Sequence, residues 1–260
     1  MIRVGVGGWT FEPWRGGAFY PPGLAQAKEL QFASRALSAI EINGTYYSTQ
    51  KPASFRKWHD ETPDDFIFAV KGNRFCTNRR DLAGAGESIE RFLTSGLEEL
   101  GPKLGPILWQ LAPTKKFDAA DLEGFLALLP KKLGKLPLRH ALEARHESFQ
   151  TPDFIALARK HGVGVVLADS DKYPLIADVT ADFVYLRVMR ASEAQAEGLS
   201  AADQKKWVER AQAWEKGDAP KDMTLISPAM KAAPRDVFLF MISGDKVKAP
   251  AAAQALLRRL

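Results

Sequence analysis

Cysteine is nearly missing from this chain. Cys76 is the only one in 260 residues. One thiol excludes internal disulfides and every zinc site built on several cysteines. Histidine is scarce as well: His59, His140, His146 and His161 are too few for a multi-histidine metal cluster. No stretch approaches the roughly 18 consecutive apolar residues of a membrane span. Met1-Ile2-Arg3 leads straight into a strand-like run without a leader-type segment. A cytoplasmic protein with no membrane partner is the expectation. Nucleotide motifs are lacking too. There is no Gly-Lys-Ser/Thr phosphate loop and no His-Glu-x-x-His pair. Gly5-Val6-Gly7-Gly8 starts like a dinucleotide fingerprint, but Thr10 stands where the third glycine belongs. No nucleotide cofactor is therefore assigned.

What is present is a large apolar content, 46% of residues, and a modest excess of positive charge: 36 Lys and Arg against 31 Asp and Glu, net +5. That balance is compatible with an anionic partner and does not require one. Its distribution is more informative. Lys71, Arg74, Arg79 and Arg80 form one basic run without an acid, and Lys131, Lys132, Lys135 and Arg139 form another. The plain reading of each run is a solvated loop.

Eight short, nearly continuous apolar runs recur along the chain: Ile2–Gly8, Ala39–Asn43, Phe66–Lys71, Pro106–Leu111, Leu138–Glu143, Gly164–Ala168, Phe183–Val188 and Val237–Ile242. Strands buried on both faces read this way. Between them lie helix-forming stretches: Leu24–Leu37, Glu87–Leu100, Asp118–Leu129, Pro152–His161, a segment capped by Ser200 that runs to about Lys216, and Ala251–Leu260. Thr151-Pro152 and Gly162 punctuate one of these as cap, first-turn proline and stop. Eight strand–helix units predict one α/β domain over 1–260, a TIM-type (β/α)8 barrel of parallel strands. Two connections depart from the repeat. The helix after strand six should be short or missing, because Tyr173-Pro174 interrupts a brief spacer. The link between strands seven and eight should be long.

In such a barrel chemistry belongs at the carboxyl ends of the strands, where the loops share one mouth. Those ends supply Trp9, Glu41 with Asn43 and Tyr46, Lys71, Gln110, Glu143 with Arg145 and His146, Asp169, and Arg187. Glu143 and Glu41 suit a general acid and base, since a mouth of low dielectric raises carboxyl pKa values. The alternative is that each is locked in an internal ion pair with Arg145, Arg187 or Lys71. Lys71 suits either an amine nucleophile or a charge for a substrate anion. Arg145 and Arg187 offer planar donor forks for carboxylate or phosphate. Trp9, Trp14, Tyr46 and Tyr47 could wall a sugar or base, although aromatics in such numbers more often serve packing, and Asn43, Gln110, His146 and Asp169 are candidate binding groups. Glu41, Glu143, Asp169 and His146 together could ligate Mg²⁺ or Mn²⁺, but with a single imidazole among them no metal site is assigned.

Longer motifs point to a family. Gly7-Gly8-Trp9, Trp14-Arg15-Gly16 and Phe19-Tyr20-Pro21-Pro22-Gly23-Leu24 open the chain. Glu41-Ile42-Asn43-Gly44-Thr45-Tyr46-Tyr47, Phe68-Ala69-Val70-Lys71, Leu104-Gly105-Pro106, Gln110-Leu111, Glu143-Ala144-Arg145-His146-Glu147-Ser148-Phe149 and Leu167-Ala168-Asp169-Ser170 follow. From Val4 to about Leu257 the chain resembles the YecE-like proteins of bacteria and archaea. That family implies a TIM-type barrel and no settled activity. Two strand ends depart from its pattern. Arg187-Val188-Met189-Arg190 replaces Arg-x-His-Gly, and Met241-Ile242-Ser243-Gly244-Asp245 replaces a Phe-Asn-Asn-Asp run.

Three functional readings follow. The first is an enzyme acting on a small anionic or sugar-like substrate by carboxylate acid/base chemistry, as a hydrolase, lyase or isomerase. The second is a barrel that binds or processes nucleic acid, endonuclease-like by fold analogy. The third is a ligand-binding barrel without turnover, suggested by the altered ends of strands seven and eight.

Overall fold

The computed structural model describes all 260 residues. Its eight parallel strands are β1 (Ile2–Gly7), β2 (Ala39–Ile42), β3 (Ile67–Lys71), β4 (Leu104–Gln110), β5 (His140–Glu143), β6 (Gly164–Asp169), β7 (Phe183–Val188) and β8 (Asp236–Met241). Each pairs with its neighbours in chain order, and β8 returns to β1 in a register running from Ile2 opposite Val237 to Val6 opposite Met241. The sheet is therefore a closed TIM-type α/β barrel, and every expected apolar run falls on one of its strands.

The connections hold α1 (Glu29–Ala36), α2 (Pro52–Glu61), α3 (Gly86–Leu93), α4 (Ala119–Ala127), α5 (Pro152–His161), α6 (Ala201–Lys216) and α7 (Ala249–Leu257). α5 and α6 have the expected limits because their punctuation is local. Thr151 and Ser200 each accept a hydrogen bond from the backbone N–H three residues on, and Gly162 and Gly217 end the helices in the left-handed conformation. Where such signals are missing, the boundaries move. No side chain caps the stretch after Leu24, so a single 3₁₀ turn, Gln26–Lys28, precedes α1. The stretch expected as Glu87–Leu100 divides at Gly96, and a 3₁₀ segment, Leu97–Lys103, completes it. No helix lies between β6 and β7. Instead Thr180 pins that connection, its hydroxyl donating to the Val163 carbonyl at 2.6 Å and accepting from the Val165 amide at 2.8 Å.

Two apolar layers explain why the strands read as continuous hydrophobic runs. One lies between sheet and helices and includes Trp14, Trp109 and Trp214. The other fills the barrel interior with Ala39, Ala69, Leu108, Ala141, Val166, Phe183, Tyr185, Phe238 and Phe240. At Gly5 a Cβ would stand 1.8 Å from the Ala39 carbonyl oxygen, so β1 can approach β2 this closely only without a side chain.

Side chains alternate between the two faces of a strand, so the residue two positions beyond each interior residue also faces inward. Ala39, Ala69, Leu108, Ala141 and Tyr185 thus lead to Glu41, Lys71, Gln110, Glu143 and Arg187, one layer higher and next to the mouth. The same step gives Gly7 on β1, Ala168 on β6 and Ile242 after β8. The uppermost layer is polar over β2–β5 and β7 and apolar elsewhere.

Candidate functional site

Arg187 is the centre of this layer. Its Nε and Nη2 donate to Glu41 Oε2 and Oε1, both at 3.0 Å, and its Nη1 donates to Glu143 Oε2 at 2.7 Å. Tyr185 OH adds a bond to Glu41 Oε2 at 2.8 Å, and Gln110 Nε2 one to Glu143 Oε2 at 2.6 Å. Arg145 Nε closes the set on Glu143 Oε1 at 2.9 Å. All four carboxylate oxygens are bonded, and Glu41, Glu143, Tyr185 and Arg187 are buried. Such burial is tolerable only because the charges are paired and hydrogen-bonded.

The electrostatics run against the expectation for Glu143. Burial alone would push its carboxyl up, but Arg187 and Arg145 outweigh burial and hold it below the ordinary carboxylate range. Near neutrality it stays ionised, anchoring the two arginines. Tyr185 is pushed well above the usual phenol value by burial and by Glu41, which keeps it a hydrogen-bond donor.

Lys71 differs from all of these. It is 7% exposed, lies 4.2 Å above the Tyr46 ring, and its ammonium has no hydrogen bond or ion pair with the protein. Two carboxylates and two guanidiniums cancel one another, which leaves Lys71 as the unbalanced charge. Desolvation first, then repulsion from Arg187, lowers its pKa to about 8. The surrounding loops fix its place. Thr45 Oγ1 donates to the Lys71 carbonyl at 2.6 Å, and Asn73 Nδ2 donates to the Thr45 carbonyl at 3.1 Å.

The other expected site residues divide. Asn43 lies beside the cluster, its amide Nδ2 3.4 Å from the Glu41 carbonyl. Tyr46 lies under Lys71, and Arg145 stacks on Tyr173 at 4.3 Å. Three residues do not join the cluster. Asp169 is one position beyond inward-facing Ala168, so alternation turns it to the other face, where it pairs with Arg190 at 2.8 Å. His146 caps a 3₁₀ turn, its Nδ1 accepting from the Ser148 amide at 3.1 Å. Trp9 packs edge-on against Trp58 at 5.1 Å. Nor do Asp169 and His146 complete a ligand set with the glutamates: no three His, Cys, Asp or Glu side chains converge as a metal site would need. The sequence reading missed Tyr185 and Tyr173. Tyr185 had a signal, since it stands two residues before Arg187 on the same strand face.

A family model described as protein of unknown function DUF72 matches residues 3–260. The chain belongs to the DUF72 family. The YecE-like resemblance agrees: the UPF0759 protein YunF of Bacillus subtilis is 30% identical over 162 residues, 59% of this chain and 54% of that protein. The UPF0759 protein YecE of Escherichia coli is 26% identical over 149 residues, 57% of this chain and 50% of the relative. These alignments span about half the length of each curated relative. Among solved structures, the DUF72 protein TM1631 of Thermotoga maritima superposes with a TM-score of 0.72 at 24% identity, covering 100% of this chain and 98% of that one. SacUVDE superposes with a TM-score of 0.58 at 9% identity, covering 100% and 99%. At these identities the likeness shows the fold alone. The two departures from the family pattern differ in their setting: Met189 and Arg190 follow the inward-facing, charged Arg187 at the end of β7, whereas Ser243 follows Ile242, which packs against the barrel interior beyond β8.

Proposed function

We propose that the mouth of this DUF72 barrel binds a small anion, a phosphate- or carboxylate-bearing molecule, and that Lys71 is the group that meets it. One observation carries the reading: a lysine only 7% exposed whose ammonium has no hydrogen bond or ion pair within the protein, beside a cluster whose other charges cancel. An unpaired buried cation is costly, and an anion that displaces water from it recovers a charge-assisted hydrogen bond. Arg145 and Tyr46 flank the same spot. Glu41 and Glu143 then serve as positioning residues, holding Arg187 and Arg145 in place. If the bound molecule is turned over, Lys71, with its pKa of about 8, is the side chain suited to exchange a proton near neutrality.

Thermal shift and calorimetry with phosphate, pyrophosphate and small sugar phosphates test this. A bound anion at about 100 times its dissociation constant adds roughly 2.7 kcal/mol of stability, and Lys71→Met abolishes the gain. If no such anion stabilises the wild type, or if Lys71→Met binds as well, the reading fails. Product analysis in the same samples separates an enzyme from a barrel that only binds.

A second reading, nucleic acid as the ligand, is favoured by a different observation: Arg74, Arg79, Arg80 and Lys116, on the loops beyond β3 and β4, form no ion pair within the protein. Retention of an oligonucleotide that weakens steeply with salt would support it.

A further inference from the structure

Two hollows adjoin on the rim of the barrel, over the loops that follow β2, β3 and β4. One, of about 570 Å³, is lined by Tyr47, Asn73, Phe75, Asn78 and Arg79 among others. Its neighbour, of about 520 Å³, is lined by Thr77, Asn78, Arg79, Arg80, Lys115 and Lys116 among others. Asn78 and Arg79 belong to both, so the two form one path.

Three features of this path point to a ligand. The first is charge. Lys115 is neutralised by Asp121 at 2.5 Å, and Arg91 by Glu87 at 2.9 Å, whereas Arg79, Arg80 and Lys116 have no carboxylate partner. The second is unmet bonding: Thr77 Oγ1 and Arg79 Nε are buried without a hydrogen-bond partner, an unusual cost for a folded protein. The third is the pair of rings in the first hollow. Tyr47 is 65% exposed and Phe75 66%, more than any other aromatic ring of the chain. Exposed rings beside unpaired cations are the elements of a surface that takes bases by stacking and phosphates by charge.

We propose that this rim binds single-stranded nucleic acid, its phosphates along Arg79, Arg80 and Lys116 and two of its bases stacked on Tyr47 and Phe75. The assignment rests on the nucleic-acid reading above and narrows it. A duplex keeps its bases stacked on one another and offers the rings nothing, whereas an unpaired strand presents a free face at every base.

Fluorescence anisotropy with the full chain, using a labelled ten-nucleotide thymidine strand and a ten-base-pair duplex, tests this. The single strand binds more tightly. Three phosphate contacts give a slope of log K against log salt of about −2, at roughly 0.7 per contact. Tyr47→Ala and Phe75→Ala each weaken the single strand about tenfold without changing that slope. Arg80→Gln and Lys116→Gln each flatten it by about 0.7, while Lys132→Gln and Lys135→Gln, in the other basic run, leave it unchanged. All six side chains are exposed, so the variants should fold, as circular dichroism can verify. Duplex binding as tight as single-strand binding, with the ring variants neutral, overturns the single-strand assignment and leaves the broader reading standing. No binding of either form at 50 mM salt overturns both.

Discussion

The two ends of this barrel handle charge in opposite ways. At the amino-terminal end the ions are paired at the surface. Arg139 meets Asp236 at 2.7 Å, the Met1 amine meets Asp236 at 3.2 Å and Glu215 at 3.1 Å, and Arg3 reaches Asp65 at 3.5 Å, all at least partly solvated. Below them the interior is filled by Phe183 and Phe238, their centroids 6.1 Å apart. At the carboxyl-terminal end Glu41, Glu143 and Arg187 are withdrawn from water altogether, and Lys71 is left over. Stability alone would favour the first arrangement, or an apolar plug such as the one Phe183 and Phe238 supply, over buried ions. The anion site proposed above would account for the second arrangement.

The largest test of that contrast removes one ion from each end. Arg187→Met leaves Glu41 buried without a cation and Glu143 with Arg145 alone, and should cost about 3–5 kcal/mol in chemical denaturation. Asp236→Asn, at the other end, should cost no more than about 1 kcal/mol. Equal losses would mean that the buried cluster is no more than another set of surface pairs. Lys71→Met comes next and should act in the opposite direction. Replacing an unpartnered buried cation by an apolar chain should leave the melting temperature unchanged or raise it, while anion binding is lost. A destabilised Lys71→Met protein would show that the ammonium is structural.

Acidity sharpens the comparison further. Anion affinity should hold below pH 8 and then fall about tenfold per pH unit as Lys71 loses its proton. For stability the sign is the reverse. Between about pH 8 and 10.5 the unfolded chain binds this proton and the folded chain does not, so the penalty of the buried ammonium is relieved as pH rises. The smallest effect belongs to the other end. His140, where β5 begins, accepts from Trp109 Nε1 at 3.1 Å and donates through Nε2 to the Pro130 carbonyl at 2.8 Å, which fixes the neutral ring. Burial holds its pKa below the usual imidazole value. Its contribution is complete above about pH 6.5 and declines as pH falls below that, because the unfolded ring protonates first. His140→Gln should flatten this part of the acid unfolding curve. An unchanged curve would assign the acid sensitivity elsewhere.

Much of this was legible in the residues. Apolar runs of five to seven residues marked all eight strands because both faces of each are buried, and Thr151, Gly162 and Ser200 marked two helices because capping is local. The candidate site was legible only in part. Glu41, Lys71, Gln110, Glu143 and Arg187 were visible as strand-end polar residues, and they do converge. Asp169 was just as visible at the end of β6 and does not converge, since one residue of phase places it on the other face. His146 and Trp9 stand beside site residues in the chain, yet their side chains serve a cap and a packing contact. Lys71 shows the limit most clearly: a lysine ending an apolar strand reads the same whether or not a carboxylate waits for it.

The sequence by itself therefore determined the strands, their two-residue alternation and the set of charges delivered to one end, because these depend on neighbours a few positions away. Only the closed barrel decided the pairings. Glu41 and Arg187 are separated by 146 positions, and they meet because the ring returns β7 to face β2 across the interior. That closure gives both glutamates to the arginines and leaves Lys71 without a paired carboxylate. The physical reason is that Coulomb energy depends on distance in space, which the order of residues along a chain does not record.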